Sequence, residues 1–256
     1  MQPGADISKA IGRATSRGSP ALVAFLTAGF PDRDSFSQQL AAVTAAADVV
    51  EIGVPFSDPM ADGATIQRAS RVALQEGATL TWILGALAAQ PATGRAPRLL
   101  MSYLNPLLAF GVGRLAREAR RAGVSGFIVP DLPWEECSEL RDALGREGIA
   151  LVQMVTPVTP PGRLAMLATA SQGFTYAVTS TGTTGRDVAL ADKTLNYLKQ
   201  VRAASVVPVC AGFGIRSASQ VARLAGHADG VIVGSALVEA IERREDPGAW
   251  LDRLRH

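Results

Sequence analysis

Short apolar runs alternate with longer amphipathic segments along almost the whole chain. The runs cover Ala21–Thr27, Asp48–Val54, Leu99–Tyr103, Gly126–Val129, Ile149–Val155, Phe174–Val178, Val206–Cys210 and Gly230–Val233. Each has the length of a strand, and several are rich in Val and Ile on both faces, as in a parallel sheet covered on both sides. Between them, helix-like stretches cover Asp34–Ala47, Ala64–Glu76, Gly113–Ala122, Glu135–Glu147, Pro161–Ala170, Lys193–Ala204, Ser217–Leu224 and Ser235–Arg244. One further helix is expected at Asp6–Arg17, before the first run, and another at Pro247–Arg255. Eight strand–helix units in 256 residues predict an α/β fold of the (β/α)8 TIM barrel type with an extra N-terminal helix. A doubly wound open sheet competes with it, but that fold usually has fewer strands, and no dinucleotide-binding glycine fingerprint follows the first run. No Gly/Ser-rich or charged linker breaks the pattern, so residues 1–256 are read as a single domain.

Composition narrows the class. Hydrophobic residues make up 48% and charged residues 19%, which suits a globular core rather than a disordered chain. A net charge of +2 gives no whole-chain reason to expect nucleic acid or an anionic membrane as partner. No apolar run approaches the roughly 20 residues of a membrane span. The first six residues contain an acid and no apolar core, unlike a secretory signal. Cys137 and Cys210 lie far apart and form neither a metal-ligand nor a redox spacing, so two reduced thiols in a cytoplasmic protein are expected.

In such a barrel the active site lies where strands end. The polar groups at those positions are Thr27, Glu51 with the loop to Asp62, Tyr103 and Asn105, Asp131, Thr156, Thr179–Thr184, Gly212–Gly214 and Gly234-Ser235. Absences then constrain the chemistry. His256 is the last residue and His227 precedes the eighth strand at the far rim, so a catalytic imidazole is not expected and two histidines are too few for a His-ligated metal. The three lysines, Lys9, Lys193 and Lys199, all fall in expected helices, away from where a Schiff-base lysine would project. Proton transfer is left to carboxylates, with Tyr103 or Tyr176 in support.

Glu51 stands out among them. Alternation along its strand places Val50, Ile52 and Val54 on the helix-facing side and Val49, Glu51 and Gly53 inside the barrel. A carboxyl there is partly desolvated, which raises its pKa toward neutral. The competing reading is a buried ion pair, but apart from Arg98 at the edge of the third strand no expected strand contains a basic residue to supply one. Asp58 and Asp62 in the following loop, and Asp131 after the fourth strand, fit either a functional role or a turn or cap. A split anion site is expected where Thr181-Gly182-Thr183-Thr184-Gly185, Gly212-Phe213-Gly214 and Gly234-Ser235 follow the last three strands. Glycines let backbone N–H groups approach a phosphate, and the helix after the eighth strand adds its dipole.

The segment Val50-Glu51-Ile52-Gly53-Val54-Pro55-Phe56-Ser57-Asp58-Pro59-Met60-Ala61-Asp62-Gly63 resembles the signature of the tryptophan synthase alpha chain family. So do Phe25-Leu26-Thr27-Ala28-Gly29-Phe30-Pro31, Tyr103-Leu104-Asn105-Pro106, Pro130-Asp131-Leu132-Pro133, Thr183-Thr184-Gly185 and Gly212-Phe213-Gly214-Ile215, in the family's order. The resemblance implies a (β/α)8 lyase that cleaves indole-3-glycerol phosphate to indole and glyceraldehyde 3-phosphate without a cofactor. It implies that Glu51 is the general acid/base and that Asp62 holds the indole N–H. It further implies that the backbone at Gly185, Gly214, Gly234 and Ser235 cradles the phosphate, and that Phe25, Tyr103, Asp131, Tyr176 and Phe213 bind the substrate. The expected partner is a pyridoxal-phosphate β chain that consumes the indole, in an α2β2 heterotetramer, docked near Asn105-Pro106 and the loop after the second strand. Three other readings remain open: a stand-alone lyase releasing free indole, another phosphosugar barrel enzyme such as an isomerase, and a non-catalytic barrel that regulates a β-type partner.

Overall fold

Eight parallel strands close on themselves in chain order: β1 (Ala21–Thr27), β2 (Val49–Gly53), β3 (Arg98–Met101), β4 (Val124–Ile128), β5 (Ala150–Val155), β6 (Thr175–Val178), β7 (Val209–Gly212) and β8 (Gly230–Val233), with β8 bonded back to β1. In this computed structural model residues 2–90, 96–179, 192–212 and 214–255 are described. Parallel neighbours require a long return connection, which the intervening helices supply. These are α2 (Arg33–Ala46), α3 (Ala64–Gln75), α4 (Leu80–Ala88), α5 (Leu104–Phe110), α6 (Val112–Arg121), α7 (Ser138–Arg146), α8 (Pro161–Ala170), α9 (Asp192–Ala204), α10 (Ala218–Leu224) and α11 (Ser235–Glu242), while α1 (Ala5–Thr15) precedes the barrel and α12 (Pro247–Asp252) follows it.

Strand alternation sorts the core into two layers. Val50, Ile52, Leu100, Phe127, Leu151 and Ala177 pack outward against the helices. Val49, Leu99, Ile128, Val152, Phe174, Tyr176, Cys210 and Ile232 fill the interior. The interior cluster also contains Ile7, Ala10, Ile11 and Ala14, so α1 lays its apolar stripe across the N-terminal end of the barrel and closes it. Gly4 is required there: its φ is 79°, and a Cβ would lie 2.5 Å from the backbone nitrogen of Gly173.

The structure differs from the sequence expectation at several boundaries, each for a local reason. β7 starts at Val209 rather than Val206, because Pro208 cannot donate to the ladder and Val206 is exposed. β3 stops at Met101, and Tyr103 instead precedes α5, a helix the pattern had not predicted. Pro106 is tolerated third in α5, where an N–H has no intrahelical acceptor to lose. α4 was also missed, since its sequence Leu-Thr-Trp-Ile-Leu-Gly-Ala-Leu-Ala is apolar on every side and shows no stripe. Its start was nonetheless marked: Gly77 sits at φ 77° after α3, and the Thr79 side chain caps the N–H of Trp82.

Arg98 is buried on the outward face, paired in register with Val50 rather than Glu51. Its Nη1 donates to the carbonyls of Leu87 and Gln90, both at 3.2 Å, and so satisfies the C-terminal end of α4. The residue that offered the ion-pair reading of Glu51 therefore points to the helix layer.

Candidate active site

Glu51 lies level with Phe25 on β1 and Leu99 on β3. Its side chain is fully buried, and among the described residues neither carboxylate oxygen has a hydrogen-bond partner. An unpaired, desolvated carboxylate is costly, so the neutral acid is favoured and the pKa is pushed up to about 8 by burial. At neutral pH Glu51 is then mostly protonated, yet one unit away from releasing its proton.

It opens into a cavity of about 600 Å³ at the C-terminal end of the barrel. The same cavity is lined by Phe25, Asp62, Tyr176, Gly214, Gly234 and Ser235. Seven of the eleven residues singled out in the sequence thus meet around one space. Gly185 and Phe213 lie outside the described residues. Tyr103 and Asp131 do not line the cavity.

Asp62 reaches the cavity on the loop between β2 and α3. Burial raises its pKa to about 6, against the lowering effect of a side-chain hydrogen bond with Tyr103. That loop has no sheet ladder to hold it, so side chains do so. The Tyr103 hydroxyl accepts the Ala61 N–H at 2.9 Å, and its ring stacks on Phe56 with centroids 5.2 Å apart. Gln67 Nε2 donates to the Asp62 carbonyl at 2.9 Å. Tyr103 therefore acts on the loop and on Asp62 from behind. Asp131 is exposed and accepts the Leu104 N–H at 2.9 Å, capping α5; it borders a separate cleft with Pro130 and Trp134.

Two interior glycines make room for the aromatic walls. A Cβ on Gly53 would lie 2.5 Å from Phe25 Cζ, and one on Gly212 would lie 2.5 Å from Tyr176 Cε1 and 2.7 Å from its hydroxyl. Gly212→Ala is expected to push the Tyr176 ring into the cavity. KM should rise about tenfold, the scale of a one-methylene misfit in a binding pocket, with little change in the thermal unfolding midpoint. Steady-state kinetics beside a melting curve would check this.

Past the ends of β7 and β8, Gly214 adopts φ 69°, and Ser235 begins α11 with Gly234 before it. The first N–H groups of a helix lack internal acceptors and attract anions, so this wall suits a phosphate. The remaining lining residues include Met60, Met101, Met154, Val178 and Ile232. Of these, Met60, Met154, Val178 and Ile232 were not assigned to the pocket by sequence reasoning; the last three were findable, since each shares the inward parity of its strand. Among the described residues no group of three His, Cys, Asp or Glu side chains is arranged to hold a metal ion.

Residues 11–254 match the family described as "Tryptophan synthase alpha chain". The chain belongs to the tryptophan synthase alpha chain family. It is 42% identical to the tryptophan synthase alpha chain of Nitratidesulfovibrio vulgaris strain DP4, over 96% of this chain and 98% of that one. It is 43% identical to that of Chloroflexus aggregans, over 93% and 90%. A solved structure of Mycobacterium tuberculosis tryptophan synthase contains a chain that superposes with a TM-score of 0.89 at 35% identity, covering 97% of this chain and 96% of that chain. The activity of the tryptophan synthase alpha family, a lyase step of tryptophan biosynthesis, is that of this chain. Among the described residues no helix is long and apolar enough to cross a membrane.

Proposed function

We propose that the chain cleaves indole-3-glycerol phosphate by an acid–base cycle run by Glu51, with Asp62 as the fixed counter-charge. The observation that carries this reading is the separation of the two carboxyls: about 8 for Glu51 and about 6 for Asp62. At neutral pH one is an acid and the other an anion, as a two-carboxyl mechanism needs. Glu51 gives its proton to C3 of the indole. The ring becomes a cation with its charge at N1, where the Asp62 carboxylate accepts the N–H and stabilises that charge. The Glu51 carboxylate then takes the proton from the hydroxyl on the carbon attached to C3. As that oxygen becomes the aldehyde, the C–C bond breaks and its electrons restore the indole. The proton lent at the start is regained, and the products are indole and glyceraldehyde 3-phosphate.

The ring cation serves as the electron sink, so neither a lysine imine nor a metal is called for in this route, and no cofactor is assigned to the chain. Phe25 and Tyr176 would enclose the ring, and the backbone at Gly214, Gly234 and Ser235, with Gly185, would hold the phosphate. We assign Phe213 and Asp131 to the substrate region on the family resemblance alone; capping of α5 by Asp131 is the role its geometry supports. The natural partner is a tryptophan synthase β chain in an α2β2 assembly within the cytoplasm, with residues 1–256 acting as one domain. The test is indole release by the purified chain from indole-3-glycerol phosphate, alone and with a β chain added. Turnover that rises with the β chain is the expected result. Equal turnover in both arms would favour the stand-alone lyase, and none in either would overturn the assignment.

A further inference from the structure

Two segments that border the cavity each send a side chain to one carboxylate on a third, outside it. Arg216 directly follows the cavity residues Gly214 and Ile215, and its guanidinium grips Glu239 in two bonds, Nη1 to Oε2 at 2.8 Å and Nη2 to Oε1 at 3.0 Å. Glu239 stands one turn along α11 from Ser235. Thr65, in the first turn of α3 and three residues after Asp62, donates its hydroxyl to Glu239 Oε1 at 3.1 Å. Further along the same two helices, Arg68 and Glu242 form a second two-bond pair at 2.9 and 2.7 Å, which is exposed and contributes little by itself.

We infer that Glu239 is a positioning residue for the reaction proposed above, joining the segment that carries Asp62 to the two elements that carry the phosphate-binding backbone. Two-bond pairing with a guanidinium is directional as well as strong, so it fixes where the remaining lone pairs of Glu239 point. Thr65 meets one of them. The chain on either side of Asp62 is thereby held, by Tyr103 through Ala61 and by Glu239 through Thr65. The Arg216 contact holds Glu239 below the usual carboxylate range, so it stays ionised wherever the enzyme works. Substrate held by its phosphate at Gly214 and Ser235 then finds Asp62 at a set distance, and the cost of a lost link falls on the chemical step rather than on binding.

Thr65 provides a clean test, because its two substitutions separate the hydroxyl from the methyl group. Thr65→Val keeps the shape and loses the donor; Thr65→Ser keeps the donor and loses the methyl. Thr65→Val and Glu239→Ala should each lower kcat about tenfold, a modest share of what misplacement of a reacting group can cost. Thr65→Ser should stay near wild type. Affinity for glycerol 3-phosphate, a probe of the phosphate wall alone, should change less than about twofold in all of them, since that wall is backbone. The Thr65→Val/Glu239→Ala double variant should be no slower than Glu239→Ala, because both cut one path. The inference is overturned if Thr65→Val keeps wild-type kcat, if Thr65→Ser falls as far as Thr65→Val, or if the double variant multiplies the single losses. Failure of the underlying functional reading would show differently, as absence of turnover in the wild type or retained turnover in Glu51→Gln.

Discussion

Glu51→Gln is expected to abolish indole formation, lowering kcat by about 10³-fold or more, since one side chain both gives and takes the proton and each duty is worth about 10²–10⁴-fold. Binding of glycerol 3-phosphate should survive, because the wall expected to hold the phosphate is built from β7, β8 and α11. The fold should survive as well. Gln matches the size of the neutral acid that the barrel interior already favours. The pH dependence of stability gives an independent check on Glu51. Its pKa is about 8 in the folded chain against 4.5 for the free group. The folded state therefore binds the extra proton between these values, and the stability it brings is present in full below pH 4.5 and is lost as pH rises through 8. The variant cannot titrate there. Its stability relative to wild type should climb across that window, by an amount on the order of a few kcal/mol. Denaturant unfolding at a series of pH values would measure it; a flat difference would mean that Glu51 is not buried as an acid.

Asp62→Asn is expected to cost about 10²–10³-fold in kcat, the scale seen when one preorganised group facing developing charge is removed. Asn can still accept from Tyr103, so the loop should keep its place and KM should change little. The pH profile separates the two carboxyls. In the wild type kcat/KM should rise with pH as Asp62 ionises near 6 and fall as Glu51 loses its proton near 8. In Asp62→Asn the acid limb should vanish and the alkaline limb remain. Loss of the alkaline limb instead would reverse the assignment of the two groups.

The barrel was legible because its pattern is redundant: eight buried runs each carry the same apolar signal, and an error of three residues at the start of β7 changes nothing about closure. Glu51 was legible because strand parity is a strict rule, and a lone acid among Val and Ile has few explanations. The loop residues were not legible in this way. Asp62 could equally have been a turn, and what distinguishes it is its contact with Tyr103, forty-one residues away in the chain and reached through β3. Asp131, read with similar ambiguity, turned out to cap α5, a short helix that the pattern did not predict. The Thr65–Glu239–Arg216 link lay beyond sequence reasoning altogether, since nothing local to any of the three residues announces the other two.

The closure of the barrel floor by α1 bears on traffic. With Ile7 and Ile11 seated among the lowest interior side chains, the chamber is blind at that end. Among the described residues the chamber opens at the rim where Met60 and Val158 stand exposed. A reaction run in such a chamber takes in its substrate and gives out its products on the side of the barrel that α1 leaves uncovered.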